Sequence, residues 1–376
     1  YVPDASLSVP VANKLLSPQT KEQYIREVKA DYHTLREKSE EKPKTLVSLD
    51  YARKHPFRID WTDYTPPQPS FLGHRIVEIP LNKIIPYIHW QPFLAAWKFP
   101  VRYAAYLKQT DAKVWVDSFP KEEQAKVQEA IRLIDDAKEK LNEWSKNDSI
   151  QIQSVIGFYP ATAADETLFI QDPQSSGSAS TPFPLLRQQE QREDDTYKSL
   201  VDFIQPSGDY IGLFVTTVKQ HSAHFSVECK EGCKHETDTY QNMLAQILRD
   251  RLAEASAEYL HEKVRTDYWG YAPNEVFTLE ELFKEPYRGI RPASGYPSLP
   301  DLSFNFVIDK FLNMQLIGVN LTPNGAMDPT ATVAGMYLAH PAAGYFYIGT
   351  PDEQQIKEYA SKKGISVEET KKWLGL

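Results

Sequence analysis

Strand and helix signals that do not alternate, the absence of a phosphate-cradling glycine-rich loop and the absence of any internal repeat predict an α+β fold. The expected architecture is one large domain with a twisted, mainly antiparallel sheet and flanking helices. The chain opens irregularly, and Ser17-Pro18 then reads as an N-cap with proline at the first helical position. Tyr24, Ile25, Val28, Tyr32 and Leu35 recur at helical spacing behind it. Residues 39–72 are rich in proline and turn residues and read as an extended strap. His74–Ile79 is a short strand candidate, and the aromatic-dense stretch Asn82–Tyr106 reads as buried helix. Phe119-Pro120 opens the clearest amphipathic helix, with Val127, Ile131, Ile134, Leu141 and Trp144 on one face.

Strands are expected at Ser154–Tyr159, Glu166–Ile170 and, most strongly, Asp209–Val218, with a flexible Gln174–Ser178 loop among them. A long helix from about Thr237 to Arg265 follows, then proline and glycine punctuation as far as Pro300. Further strands are expected at Gln315–Leu321, Thr332–Ala339 and Tyr345–Ile348. Thr350-Pro-Asp-Glu353 and Ser366-Val-Glu-Glu369 fit capping boxes for two closing helices, with Gly364 as the stop between them.

Composition narrows the function. Of 376 residues, 42 are Lys or Arg and 51 are Asp or Glu, giving a formal charge of −9. That balance argues against a general hold on nucleic acid or on an anionic membrane. No apolar run reaches the roughly 20 residues that span a bilayer, and Tyr1-Val2-Pro3-Asp4 lacks the features of a signal peptide. Cys229 and Cys233 are too few for a disulfide framework, which points to a reducing, cytoplasmic location. The missing initiator Met suggests a chain cut from something longer, with a neighbouring module as partner.

Standard catalytic motifs are absent: there is no nucleophile elbow, no P-loop, and His261-Glu262 lacks a second His four residues on. One Cys/His cluster, His221, His224, Cys229, Cys233 and His235, has the donor types of a tetrahedral zinc site, although its spacing matches no common finger. A polar loop is the plainer reading. The most unusual stretch is Gly289-Ile-Arg291-Pro-Ala-Ser-Gly-Tyr-Pro297. Its arginine can grip a carboxylate through a planar fork, its prolines stiffen the loop, and Gly295 can let a ligand approach the backbone. His340-Pro-Ala-Ala-Gly-Tyr-Phe346 would ordinarily be core strand after a turn.

Arg291-Pro-Ala-Ser-Gly-Tyr-Pro297, Arg251-Leu-Ala-Glu-Ala-Ser-Ala-Glu-Tyr-Leu-His261, Tyr268-Trp-Gly-Tyr-Ala-Pro-Asn-Glu275 and Tyr359-Ala-Ser-Lys-Lys-Gly-Ile-Ser-Val367 stand in one order along the chain. Together they resemble the C-terminal activation domain of cobalamin-dependent methionine synthases. Tyr64-Thr-Pro-Pro67, Leu186-Arg-Gln-Gln189 and Asp209-Tyr-Ile-Gly212 add to the likeness, which spans nearly the whole chain. Asp4-Ala-Ser-Leu-Ser-Val-Pro10 resembles the tail of a preceding cobalamin-binding module. The resemblance therefore implies a tail and linker helix over 1–40 and the activation domain over 41–376.

That family implies a module of a methyltransferase that binds S-adenosylmethionine and supports reductive methylation of cob(II)alamin, with an electron from flavodoxin or a related flavoprotein. Cobalamin would be carried by the neighbouring module of the same polypeptide, and zinc, in the full enzyme, by another. A sulfonium is a good leaving group and cob(I)alamin a strong nucleophile, so no catalytic acid or base is expected on this fragment, which would not run the full reaction alone.

Position by position, the resemblance places the ligand among Arg291, Ala293, Gly295, Tyr296, Tyr345 and Phe346, with the acidic Glu285 nearby. His89 stands where the family commonly has Asp, so the expected partner of the ligand's ammonium is missing, and weaker or pH-dependent binding follows. Asp250 and Glu254, four apart on the long helix, are expected to meet the cobalamin module. Lys98 and Arg102, with Lys108 beyond, are candidates for flavoprotein docking. Two other readings stand beside this one: a non-catalytic docking module for the cobalamin domain and flavoprotein with weakened ligand binding, and a zinc protein built on the Cys/His loop.

Overall fold

The computed structural model describes residues 8–39, 45–108, 111–173, 180–221 and 239–376. Two compact units are present, one formed by residues 1–47 with 190–193 and the other by 48–189 with 194–376. In the first, helix α1 (Ser8–Leu16) replaces the expected irregular start and precedes α2 (Lys21–Ser39). The Thr20 hydroxyl donates to Lys14 O across the turn between them, and the Lys14 ammonium lies 5.0 Å from the Tyr24 ring.

The second unit begins with a helical turn, α3 (Leu49–Lys54), inside the expected strap; Ser48 caps it by accepting from the Tyr51 amide. Strand β1 (Gly73–Glu78) follows, then the aromatic-rich segment. This is broken where one helix was expected: α4 (Leu81–Ile84), a 3₁₀ turn over Ile85–Tyr87, α5 (Trp90–Ala96) and a second 3₁₀ stretch over Val101–Lys108. Pro86 and Pro100 lack the amide a continuous helix needs, which accounts for the breaks. Beyond α6 (Ala112–Asp117), helix α7 (Lys121–Asn147) starts after Pro120 and buries the apolar stripe read from the sequence.

The sheet is built from β2 (Ile150–Ala164), β3 (Thr167–Gln171), β4 (Ser180–Pro184) and β5 (Asp209–Gln220), completed by β8 below. Helix α8 (Thr239–Lys263) runs on into a π-helical turn over Val264–Tyr268. After α9 (Leu279–Leu282) and α10 (Phe304–Leu312) come a small hairpin, β6 (Asn320–Leu321) with β7 (Met327–Asp328), and then β8 (Thr332–Tyr337). The expected strand at Gln315–Leu321 begins as a 3₁₀ turn over Met314–Ile317 and is strand only at Asn320–Leu321, and the expected strand at Tyr345–Ile348 belongs to neither sheet. Helices α11 (Glu353–Lys363) and α12 (Val367–Leu374) close the chain. Asp352 caps α11 where Thr350 was expected, by accepting from the Gln355 amide, while Ser366 and Gly364 act as read.

Strand order is β4-β3-β2-β5-β8, with β1 paired to β2, and every pairing is antiparallel. Alternation along β2 sends Ile152, Ile156 and Phe158 to the core under α7 and α8, and Val155, Tyr159 and Ala161 to the core under α10. Phe214 and Val218 of β5 join the first core, and Ile211, Leu213 and Val215 the second. Both faces are thus buried, which explains the near-continuous apolar reading of β5.

The arginine loop is held at the outer edge of β8. Ile290 and Leu338 exchange both backbone hydrogen bonds at 3.0 Å, the Met336 amide donates to Pro292 O at 3.0 Å, and the Ser294 amide donates to Ala334 O at 3.0 Å. Gly335 makes this approach possible: a Cβ there would lie 2.4 Å from Pro292 O and 2.8 Å from Ala293 Cα, closer than such atoms can sit. Gly335→Ala should therefore destabilise the protein by about 1–3 kcal/mol, as overpacking does. Urea unfolding should show a lower midpoint at unchanged slope; an unmoved midpoint would mean the loop is not held against β8.

Candidate functional site

The site forms where α8 passes the arginine loop. Arg251, Glu254, Glu258, His261 and Arg265 fall three or four residues apart along α8 and its continuation, so they share one face. This face is largely covered: Glu258 is 7% exposed, while His261 and Arg265 are 0% exposed. Buried charges need partners, and most come from segments beyond the helix.

Arg265 makes a two-pronged ion pair with Glu275, with Nη2 to Oε1 at 2.6 Å and Nε to Oε2 at 2.9 Å, and its guanidinium lies 4.0 Å from the Tyr287 ring centre. His261 stacks on Tyr337 at 5.3 Å, and its Nε2 is 3.4 Å from the Tyr271 hydroxyl. Burial and the cations of Arg265 and Arg291 hold the His261 imidazole far below its usual range, so it is neutral. Trp269 donates to Pro67 O at 2.7 Å, tying the strap to this corner. The motif Tyr268–Glu275 is thus the support behind the site.

In front of it, Arg291 Nη2 pairs with Glu258 Oε2 at 2.6 Å, and the Arg291 amide donates to the Tyr345 hydroxyl at 3.0 Å. Burial opposes the Arg291 charge, but the Glu258 carboxylate, together with Tyr345, Tyr287 and Glu254, raises the guanidinium's affinity for its proton overall. Tyr296, at the turn where Gly295 adopts φ +83°, donates to Glu254 Oε1 at 2.5 Å. Burial and that carboxylate push the Tyr296 phenol upward. Burial likewise raises Tyr345, which with Tyr296 remains part exposed and forms the rim.

His89 stands at the N-terminal edge of α5 with its ring 3.7 Å from that of Phe283. Burial lowers its pKa; among the charges it feels, Glu258 and Glu254 raise it, and Arg291 and Arg251 lower it. Glu285 sits at φ +55° after α9, a left-handed conformation that is uncommon for a residue with a Cβ. Burial and then Glu258 raise its carboxyl, against the pull of Arg291.

Arg291, Tyr296, Tyr345, Glu254, Glu285 and His89 therefore converge, and Ala293 lies in the bonded part of the loop. Phe346 makes its packing contacts on the other side of the segment. It packs into the core, 6.2 Å from Phe203, because successive side chains of an extended segment point to opposite sides. Asp250 accepts from Gln246 at 2.9 Å one turn before Glu254, and burial raises its carboxyl. Lys98 is exposed, while Arg102 and Lys108 are each paired at 2.6 Å, with Glu123 and Glu280. Of the Cys/His cluster only His221 is described; His224, Cys229, Cys233 and His235 lie outside the described residues. Among the described residues no group of three metal-binding side chains occurs, and no helix is long and apolar enough to cross a membrane.

Glu258, Arg251, Tyr287 and Phe283 were not singled out from the sequence. A signal existed in the charged stripe along α8, whose alanines at 253, 255 and 257 mark a helix packed on more than one side. An open cleft of about 740 Å³ lies elsewhere, at Arg53, Phe57, Arg187 and Asp202. Several of its charges are closed into ion pairs, Arg187 with Glu166 and Asp202, and Arg53 with Glu166 and Glu358.

With this geometry in place, the known proteins can be set beside it. The model of the vitamin B12-dependent methionine synthase activation domain matches residues 80–364, well over half of the chain. This chain belongs to that family. A solved structure of the MetH reactivation domain bound to AdoHcy is similar to it, with 34% identity and a TM-score of 0.76 over 88% of this chain and 98% of that one. The α+β architecture of the activation domain is the one observed, and the chain is a domain of a methyltransferase.

Because Arg265 is fully buried and Glu275 holds it from two sides, Glu275→Ala should cost about 3–5 kcal/mol through the uncompensated charge. Equilibrium denaturation measures this. A loss below about 1 kcal/mol would mean that Arg265 finds another partner.

Proposed function

We propose that this activation domain binds S-adenosylmethionine at the Arg291, Tyr296 and Tyr345 site and supports reductive methylation of cob(II)alamin on a neighbouring module of the same polypeptide. The observation that carries the reading is the convergence of a buried guanidinium, two part-exposed tyrosines and the acids Glu254, Glu258 and Glu285 on one stiffened loop. This set suits a ligand that carries a carboxylate, an ammonium, a sulfonium and an aromatic base at once. The likeness to a domain bound to AdoHcy supports it.

The residues bind and orient; none has the setting of an acid or base catalyst. Arg291 is locked in its charged form by Glu258 and presents a fixed fork. Tyr345 holds the Arg291 amide, and Tyr296 is anchored through its hydroxyl to Glu254, so both rings have fixed positions. Ring faces stabilise a sulfonium by cation–π attraction, worth about 0.5–2 kcal/mol. Cobalamin supplies the nucleophile that takes the methyl group. The chain contributes proximity and alignment, which can account for a large share of a methyl transfer barrier. The electron donor is proposed to be flavodoxin or a similar flavoprotein, with Lys98 and Arg102 as its docking candidates. Asp250 and Glu254, on successive turns of α8, are proposed to face the cobalamin module.

Calorimetric titration of S-adenosylmethionine tests the ligand assignment. Arg291→Ala should weaken binding by about 10- to 100-fold, the range expected on losing a charged hydrogen bond. No heat and no thermal shift with the unaltered chain at millimolar ligand would favour a docking module in its place.

His89 adds a pH dependence. Its lowered pKa leaves the imidazole neutral at pH 8, and protonation comes only in acid, placing a cation beside the ligand's ammonium. The Kd of the unaltered chain, divided by that of His89→Gln, should rise between pH 8 and pH 5.5. A constant ratio would remove His89 from ligand binding.

A further inference from the structure

At the centre of the site one carboxylate has an oxygen to spare. Glu258 Oε2 receives Arg291 Nη2 at 2.6 Å, whereas Glu258 Oε1 and Arg291 Nε, both shut off from solvent, have no hydrogen-bond partner. An acceptor without a donor and a donor without an acceptor thus sit on the same buried ion pair. Leaving either so is costly, and for charged groups the cost is largest. An α-amino acid end offers the reciprocal groups: an ammonium with donors only and a carboxylate with acceptors only.

The carboxylate of Glu258 is also the charge that the surrounding groups share. It acts on His89 at the edge of α5, on Tyr87 in the preceding turn, on Glu285 and Tyr287 in the segment after α9, and on Tyr337 of β8. Arg251 and Glu254 flank it on α8, and Arg291 faces it from the loop. Position 89 holds an imidazole and cannot offer an anion. Of the other acids on α8, Glu254 has one oxygen engaged by Tyr296, Glu262 receives Tyr87 and Asp250 receives Gln246.

We infer that Glu258 is the specificity-determining residue for the ligand's α-ammonium: Oε1 receives the ammonium while Oε2 holds Arg291, so that one side chain orders both ends of the amino-acid group. This rests on the reading that the site takes S-adenosylmethionine. The competing use of the same two atoms is closure of the ion pair into a two-bond, side-on form that would leave nothing for a ligand.

Two stable ligands separate these on the full chain by calorimetry: S-adenosylhomocysteine, and 4-(5′-adenosylthio)butanoate, which keeps the carboxylate and lacks the amine. The unaltered chain should prefer the first by about tenfold or more, the scale of one charge-assisted hydrogen bond. Glu258→Gln should lose most of that preference through weaker binding of the amine-bearing ligand, with the amine-free ligand changed by less than about threefold. Equal weakening of both ligands would show that Glu258 only places Arg291 and would overturn the assignment. So would an unaltered chain that binds both ligands equally. Should Glu258→Gln fail to fold, His89→Asp decides: a gain below about threefold for S-adenosylhomocysteine is expected because the ammonium is already matched, and a gain of tenfold or more overturns it. Binding of neither ligand to the unaltered chain would overturn the ligand reading itself, and this assignment with it.

Discussion

The charged face of α8 must be neutralised, and much of the second unit is arranged around that requirement. Glu254, Glu258, His261 and Arg265 run along a helix whose other side is packed against the sheet. Water does not reach most of them, so their partners must come from the protein. Arg291 and Tyr296 come from the loop after Gly289, Glu275 from the segment behind the π-helical turn, and Tyr271 and Tyr337 from the surrounding aromatic layer. Except for Tyr337 of β8, each partner fixes a segment that has little regular structure of its own. A site made largely of loops thereby acquires the rigidity of a helix.

The sheet supplies the second constraint. Its two faces are both buried, and the free edge of β8 is covered by residues 290–294 through main-chain hydrogen bonds. Covering an edge in this way removes an exposed row of donors and acceptors. It also carries the arginine into place opposite Glu258. Edge protection and the placing of Arg291 are in this protein the same contact, so a residue without a side chain, Gly335, bears on both.

Chemically, the site is one of fixed charge. Burial or pairing keeps Arg291 charged, His261 neutral and the tyrosines protonated at neutral pH. Such a set is suited to binding and aligning a charged ligand for a reaction whose nucleophile and leaving group need no proton transfer. The imidazole of His89 is a group whose charge changes as pH falls into acid, and the charges it feels come from four residues of α8 and the arginine loop.

Much of this was legible along the chain. The apolar stripe of α7, the strands β1, β3, β5 and β8, the caps Ser366 and Gly364 and the long helix α8 all follow from spacing and local chemistry, which neighbouring residues carry by themselves. The Arg291 motif and its likeness to one family were equally open to reading, since both lie in contiguous residues. The sequence by itself therefore determined the family, the mixed fold and the loop that matters. Only the tertiary structure decided which carboxylate meets Arg291 and that the Phe346 ring packs toward Phe203. The reason is that these depend on which side of a strand or helix faces a segment 33 or more residues away, as from Glu258 to Arg291. Local propensity carries no information about such a pairing; the burial of a charge, once the fold has closed, does.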